Sequence, residues 1–303
     1  MDYGRIVTES FQIAWRYKSL WIFGLFAGGG SGFNLDFSNL PLPKTEFGLR
    51  DFGESFRFPF EMDWEIMLPV FLLVGCMILG YIIMHLISVP AIIDGVNKIK
   101  RGGTYRLGSS FSAGVDFFLR FLGLLLIGVF AFIVVAVAMV VAGILAYAIG
   151  DIILLVLALL IIIPVFLVFL FVFTNLFALA QRAMVVRNTG IADALEEGFW
   201  LLRRNPVKNL VVFLIEIGFS IALGITAFIL WAIIGAPIAV VALATGAGII
   251  PAIILAVIIG MPVSLVVGGF SGSVLQNLYT LFYFELVEPS GPAPPAAAAA
   301  PTP

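Results

Sequence analysis

Six apolar runs, set close together along the chain, constrain its fold more than any other feature. A bilayer core about 30 Å thick is crossed by roughly 20 apolar residues as helix. Runs at about 66–97, 118–149, 152–181, 207–234 and 249–284 reach or exceed that length. The remaining one, Lys18 to Gly30 (KSLWIFGLFAGGG), is short and is completed by the amphipathic segment before it. The surplus length of the others predicts tilt, kinks or projection beyond the lipid. Composition agrees: the chain is 62% hydrophobic and 11% charged, with a mean hydropathy of +1.15, against about 45–50% apolar and 25% charged in soluble domains. The expected fold is an all-α integral membrane protein of about six transmembrane helices, with no stretch left over for a separate soluble domain.

The basic residues set the expected orientation. The segment 31–65 carries three of them, Lys44, Arg50 and Arg57, against seven acidic residues, and reads as an extracytoplasmic loop. The others fall in three clusters: Arg5, Arg16 and Lys18; Lys98, Lys100, Arg101, Arg106 and Arg120; Arg182, Arg187, Arg203, Arg204 and Lys208. Alternate loops then face the cytoplasm, as do both termini, in a multi-pass protein of the plasma membrane. The stretch 235–262 is broken by Pro237, Gly246, Gly248, Pro251 and Pro262. It reads either as one further span or, preferably, as two kinked helices meeting at a Gly-Ala-Gly turn. The N-terminal run ends without an A-x-A site, so it reads as an uncleaved span. The tail 288–303 is Pro/Ala low complexity and is expected to be disordered.

Three segments align: ESFQIAWRYKSLWIF from Glu9, SSFSAGVDFFLRFLG from Ser109, and EGFWLLRRNPVKNLVVF from Glu197. Phe11, Phe111 and Phe199 coincide, each preceded by a small residue, Ser10, Ser110 or Gly198. Gly102 and Gly190 stand at matching distances upstream, and FTNLF (Phe173 to Phe177) resembles VLQNLY (Val274 to Tyr279). The implied unit is an interfacial amphipathic helix followed by a helical hairpin, used three times within a membrane domain 1–287, at about 4–100, 101–187 and 188–287. In the third copy Ile191, Leu195, Phe199 and Leu202 share a face, with Asp193, Glu196, Glu197, Arg203 and Arg204 largely opposite. Such a helix lies in the membrane interface. Pro206 suits the first turn of the span that follows.

The segments NTGIADALEEGFWLLRRNPVKNLVVF (Asn188 to Phe213) and RGGTYRLGSSFSAGVDFFLRFLG (Arg101 to Gly123) resemble the membrane domain of glycerophosphoryl diester phosphodiesterases and related bacterial membrane families. The resemblance covers the six-span body. It implies a membrane fold in a bacterial envelope. Members that hydrolyse glycerophosphodiesters use an attached soluble barrel that has no counterpart in this sequence, so no catalytic residue carries over.

Glu216 stands out within the apolar runs. It lies nine residues into its span, near mid-bilayer, where a charge costs at least about 2.5–3.5 kcal/mol and should face the bundle interior, protonated or paired. In the aligned repeats it replaces Gly28 and Gly128. His85, also deep in a span, is its expected ionisable partner. The pair reads either as a relay or headgroup anchor, or as a neutral acid bonded to a neighbouring helix for packing, the reading preferred. Asn175, Gln276 and Asn277 suit interhelical hydrogen bonds. Asp94 is expected to pair with Lys98, and Gly268 with Gly272 to allow close helix approach. Glu61, Asp63 and Glu65 form a weak candidate cation site or, more simply, a solvated rim.

One cysteine, Cys76, and one histidine exclude an intramolecular disulfide and two-histidine metal motifs. H-x-x-x-H, C-x-x-C and G-x-S-x-G are all lacking, no nucleophile has a base in reach, and neither a cofactor nor nucleic acid binding is indicated. The expected function is a non-enzymatic membrane domain of the bacterial cell envelope whose partners are membrane lipids or another envelope protein. The alternative is a small transporter or permease working through Glu216 and His85 at mid-membrane. Few intramembrane polar groups and no second buried charge argue against transport.

Overall fold

The computed structural model describes residues 1–28, 64–245 and 249–288. Over these the chain is helical: α1 (Tyr3–Arg16), α2 (Leu20–Ala27), α3 (Trp64–Lys100), α4 (Leu107–Arg187), α5 (Ile191–Arg204), α6 (Pro206–Thr245) and α7 (Ile249–Val287). Asp2 starts α1 by accepting the Arg5 backbone N–H at 3.0 Å, a side-chain N-cap. Pro206 is the first residue of α6, where its missing N–H costs nothing. Five segments are long and apolar enough to cross a membrane: Leu68–Lys100, Leu107–Ile149, Val156–Arg187, Pro206–Ile238 and Leu255–Val287. They mark a multi-pass membrane protein. Of the short run expected as a further span, the described helix is α2, eight residues long, and it is not among these five segments.

Although helical geometry runs unbroken through α4, its arms lie side by side. The Phe132 ring stands 6.2 Å from that of Phe173 and 6.3 Å from that of Phe166, and Arg120 Nη1 donates to Asn188 Oδ1 at 2.7 Å. The reversal therefore falls around Asp151, and the arms correspond to the expected runs 118–149 and 152–181. α6 and α7 also run antiparallel, enclosing a small cavity of about 40 Å³ lined by Trp231, Gly260 and Ser264 among others. Both helices continue through an internal proline, Pro237 and Pro262. The expected Gly-Ala-Gly turn, the part of the expected loop 31–65 up to residue 63, with Glu61 and Asp63, most of the glycine-rich stretch after Ala27 and the tail 289–303 lie outside the described residues, while Trp64 and Glu65 at the end of that loop already belong to α3.

Two compact units divide the chain, Phe33–Met84 and the remainder. Of the first, the described part is the beginning of α3, whose side chains from Leu68 to Ile83 are exposed. In the second, the core draws on Ile6 and Ile13 of α1, Leu20 and Phe23 of α2, Ile92 and Val96 of α3, Leu179 and Met184 of α4, Leu202 of α5 and Phe282 and Tyr283 of α7. These lie where the helices carry their basic residues. Farther along, the hairpins expose Phe130, Leu160 and Phe228, side chains suited to acyl chains, because lipid tails are as apolar as they are.

The tightest crossing joins α2 to α7. A Cβ on Gly28 would stand 2.7 Å from Gly272 Cα, one on Gly269 would stand 2.5 Å from the Trp21 carbonyl oxygen, and one on Gly24 would collide with the Gly269 carbonyl. Close approach through small residues is the expected device, with Gly269 and Gly272 as the contacting pair on α7, while Gly268 lines the cavity beside α6. Side chains of α7 hold α2 at both ends: Ser273 Oγ donates to the Leu20 carbonyl in its first turn at 2.8 Å, and Gln276 Nε2 to that of Ala27 in its last at 3.0 Å. The last carbonyls of a helix lack intrahelical partners, so the Gln276 bond supplies one that eight residues cannot.

Candidate functional site

Glu216 lies ten residues beyond Pro206 on α6, about 15 Å along the helix axis. The Tyr279 hydroxyl of α7 donates to Glu216 Oε2. The Arg182 guanidinium of α4 lies over the Tyr279 ring, 5.3 Å from its centroid, a cation–π geometry. Arg182 is 2% exposed; it donates to the Ala178 carbonyl and Gln181 Oε1, both at 3.0 Å, and to Gln276 Oε1 at 2.5 Å. Gln276 in turn bonds the end of α2. One polar chain thus ties α6, α7, α4 and α2 together. Within it, Arg182 Nε is buried and unpaired.

The carboxyl has a second side. Glu216 lines an open groove of about 470 Å³ with Thr174 of α4 and Phe213, Ile217, Ser220 and Ile221 of α6. Leu214, Ile217 and Ile221 next to it are exposed, so the groove opens sideways on the apolar surface. Serine and threonine in an apolar helix commonly back-bond to the carbonyl one turn before, as Thr226 does to Ala222 at 2.8 Å. Thr174 and Ser220 make no such bond among the described residues, and Tyr279 engages one oxygen of Glu216. Three polar groups therefore lie on an exposed and otherwise largely apolar surface.

His85 is not the partner of Glu216. Its Nδ1 donates to the Phe26 carbonyl at 2.7 Å, which makes it a further cap on α2. Asn175 donates to the Phe171 carbonyl at 2.9 Å, and Asn277 to that of Ser10 at 3.4 Å; in both, Oδ1 is buried without a partner. The four polar positions singled out in the sequence therefore do not gather into one site. Asp94 does pair with Lys98, at 2.6 Å. The expectation of a single buried charge is corrected by Arg182. Its place at a basic helix end resembles a cytoplasmic stop, but the guanidinium turns inward to Tyr279 and Gln276.

A family model described as a family of unknown function, DUF7544, matches residues 10–289. The chain belongs to this family. The match spans every residue of the polar chain and of the groove in this DUF7544 protein. Comparison with curated proteins and with solved structures gives no match. Among the described residues, no group of three or more His, Cys, Asp or Glu side chains could hold a metal ion.

Sequence reading also missed a second polar cluster in the DUF7544 chain. The Tyr283 hydroxyl donates to Glu197 Oε1 at 2.6 Å, and Arg187 Nη1 reaches Glu197 Oε2 at 3.2 Å. Helical periodicity put Glu197 on the polar face of α5, yet its side chain is only 17% exposed. The buried stripe of α5 is Ala194, Gly198 and Leu202, whereas Phe199 and Trp200 face outward. Gly198 permits this: a Cβ there would stand 3.0 Å from the Leu176 carbonyl oxygen. The alternation of small and aromatic residues was the available signal, because the small member marks the contact.

Proposed function

We propose that this DUF7544 protein is a non-enzymatic, lipid-interacting domain of the cell membrane, and that its interaction site is the lateral groove at Glu216. The observation that carries the reading is the two-sided setting of that residue. Behind it, Tyr279 and Arg182 hold the carboxyl in place; in front, Thr174 and Ser220 join it on a surface open to lipid. A fixed polar spot facing sideways suits a lipid that diffuses in the membrane plane. Transport through Glu216 and His85 is less well supported, since each has its own partner on a different helix.

The proposed architecture remains three repeats, with both termini in the cytoplasm. Its support is local. α1 and α5 each have 14 residues, and Ser10 and Gly198 occupy the same position in them, both buried. Each helix closes alike, through the Tyr17 N–H to the Ile13 carbonyl and the Asn205 N–H to that of Leu201. Ser110, the small residue of the middle segment, is also buried. Trp15 and Trp200 point outward, as aromatic side chains do at a membrane interface. The likeness to phosphodiesterase membrane domains adds no residue to this reading.

Native mass spectrometry of the protein extracted in mild detergent tests the function. Lipid should stay bound, and Ile217→Trp, which fills the groove, should reduce the retained fraction. Protein free of lipid, with another polypeptide bound in its place, would overturn the lipid reading.

A further inference from the structure

We infer that the groove takes the uncharged, hydroxyl-bearing head of an amphiphile, such as a monoacylglycerol or a long-chain alcohol, with its hydrocarbon body lying along the cleft between α4 and α6. This inference rests on the lipid-binding reading above and names the class of lipid. Three features select the head. The lining offers one carboxylate oxygen and two hydroxyls, Thr174 and Ser220, none of them bonded to another described residue. A carboxylate accepts, and a hydroxyl both donates and accepts, so a ligand hydroxyl can give its proton to Glu216 and exchange a bond with Ser220 or Thr174. In a hydrocarbon setting an unmatched polar group is costly, and a ligand of this kind matches all three.

Depth and charge exclude the other heads. Glu216 sits about 15 Å from the helix start at Pro206, well below the level of phospholipid phosphates, and a phosphate drawn that deep would be repelled by the carboxylate. A cationic head would meet a carboxylate, but Arg182 already provides a buried positive charge behind Tyr279, 5.3 Å from its ring centroid. Ionised Glu216 and Arg182 cancel, so an added ammonium would leave a net charge in hydrocarbon, which membranes disfavour. A neutral donor leaves the balance intact. Phe213, Ile217 and Ile221 then line the path of the chain that carries it.

The test uses the full chain in phosphatidylcholine nanodiscs with three probes sharing one acyl chain: monooleoylglycerol, oleylamine and oleate. Binding is followed by quenching of protein fluorescence with dibrominated versions of each. Monooleoylglycerol should bind best. The double variant Thr174→Val with Ser220→Ala leaves the Glu216–Tyr279 bond in place, and should weaken that binding roughly tenfold through loss of two hydrogen-bond partners. Glu216→Leu should weaken it further; the double variant decides if that protein fails to fold. Tighter binding of oleylamine or oleate would overturn the ligand class, and undiminished binding in the double variant would overturn the site. Retention of native lipid with no preference for monooleoylglycerol sinks this inference alone, whereas absence of any bound lipid sinks the lipid-binding function with it.

Discussion

Tyr279 reaches Glu216 across 63 residues of sequence, and Arg182 reaches Gln276 across 94. Helical periodicity extends only a few turns, so neither pairing could be read from the chain; the stranded glutamate could. Arg182 at a basic helix end was ambiguous for the same reason, because a long cationic side chain there can turn outward to the interface or inward to an acceptor. The arrangement predicts unequal effects of two substitutions. Glu216→Gln keeps an acceptor for Tyr279 but leaves the buried Arg182 charge unbalanced, and should lower Tm in detergent less than Glu216→Leu does. Glu216→Leu strands both the Tyr279 hydroxyl and the Arg182 charge, and should cost about 1–3 kcal/mol, read as a lowered Tm. His85→Ala removes the donor to the Phe26 carbonyl and should destabilise by about 1 kcal/mol, with no further loss when combined with an unrelated groove substitution such as Ser220→Ala.

Among the elements, those set by long apolar runs were legible. The run 207–234 lies within α6, 249–284 within α7 and 66–97 within α3, and Pro206 opens its helix because a first-turn proline gives up no hydrogen bond. α5 was legible as a helix, but which of its residues meet a neighbouring helix was not: Glu197 is largely buried and Phe199 is exposed. Apolar periodicity finds the wide apolar side of a helix; in a membrane that side also meets lipid, and contact with a neighbouring helix goes to the narrow stripe of small residues. The α2–α7 crossing is the clearest case. Gly24→Leu or Gly272→Leu should separate the helices and lower stability by more than the 1–3 kcal/mol or so typical of overpacking. By contrast, Gly143→Leu, where a Cβ would meet nothing within 4 Å, should change Tm little. Thermal unfolding of the three variants in one detergent distinguishes them, and equal losses would contradict the crossing.

For the molecule as a whole, composition made the membrane class plain, because a chain this apolar cannot be solvated. Where its core would sit was not legible. Apolar residues fill both the packed and the lipid-facing parts of the spans, so hydropathy cannot separate Leu179, which is buried, from Leu160, which is exposed. The separation follows the polar residues: Asn175, Arg182, Asn209, Asn277 and Ser273 are each buried, whereas the groove at Glu216 is lined by Thr174 of α4 and residues of α6 and lies beside the exposed Leu214, Ile217 and Ile221. That placement makes the groove accessible from the side, and lateral access is the basis of the proposed function. A photoactivatable benzophenone amino acid in place of Ile217, beside Glu216 in the groove, tests it in intact membranes. The account predicts a lipid adduct on irradiation, diminished when Thr174→Val and Ser220→Ala are added. Cross-linking to another polypeptide, with no lipid adduct, would contradict it.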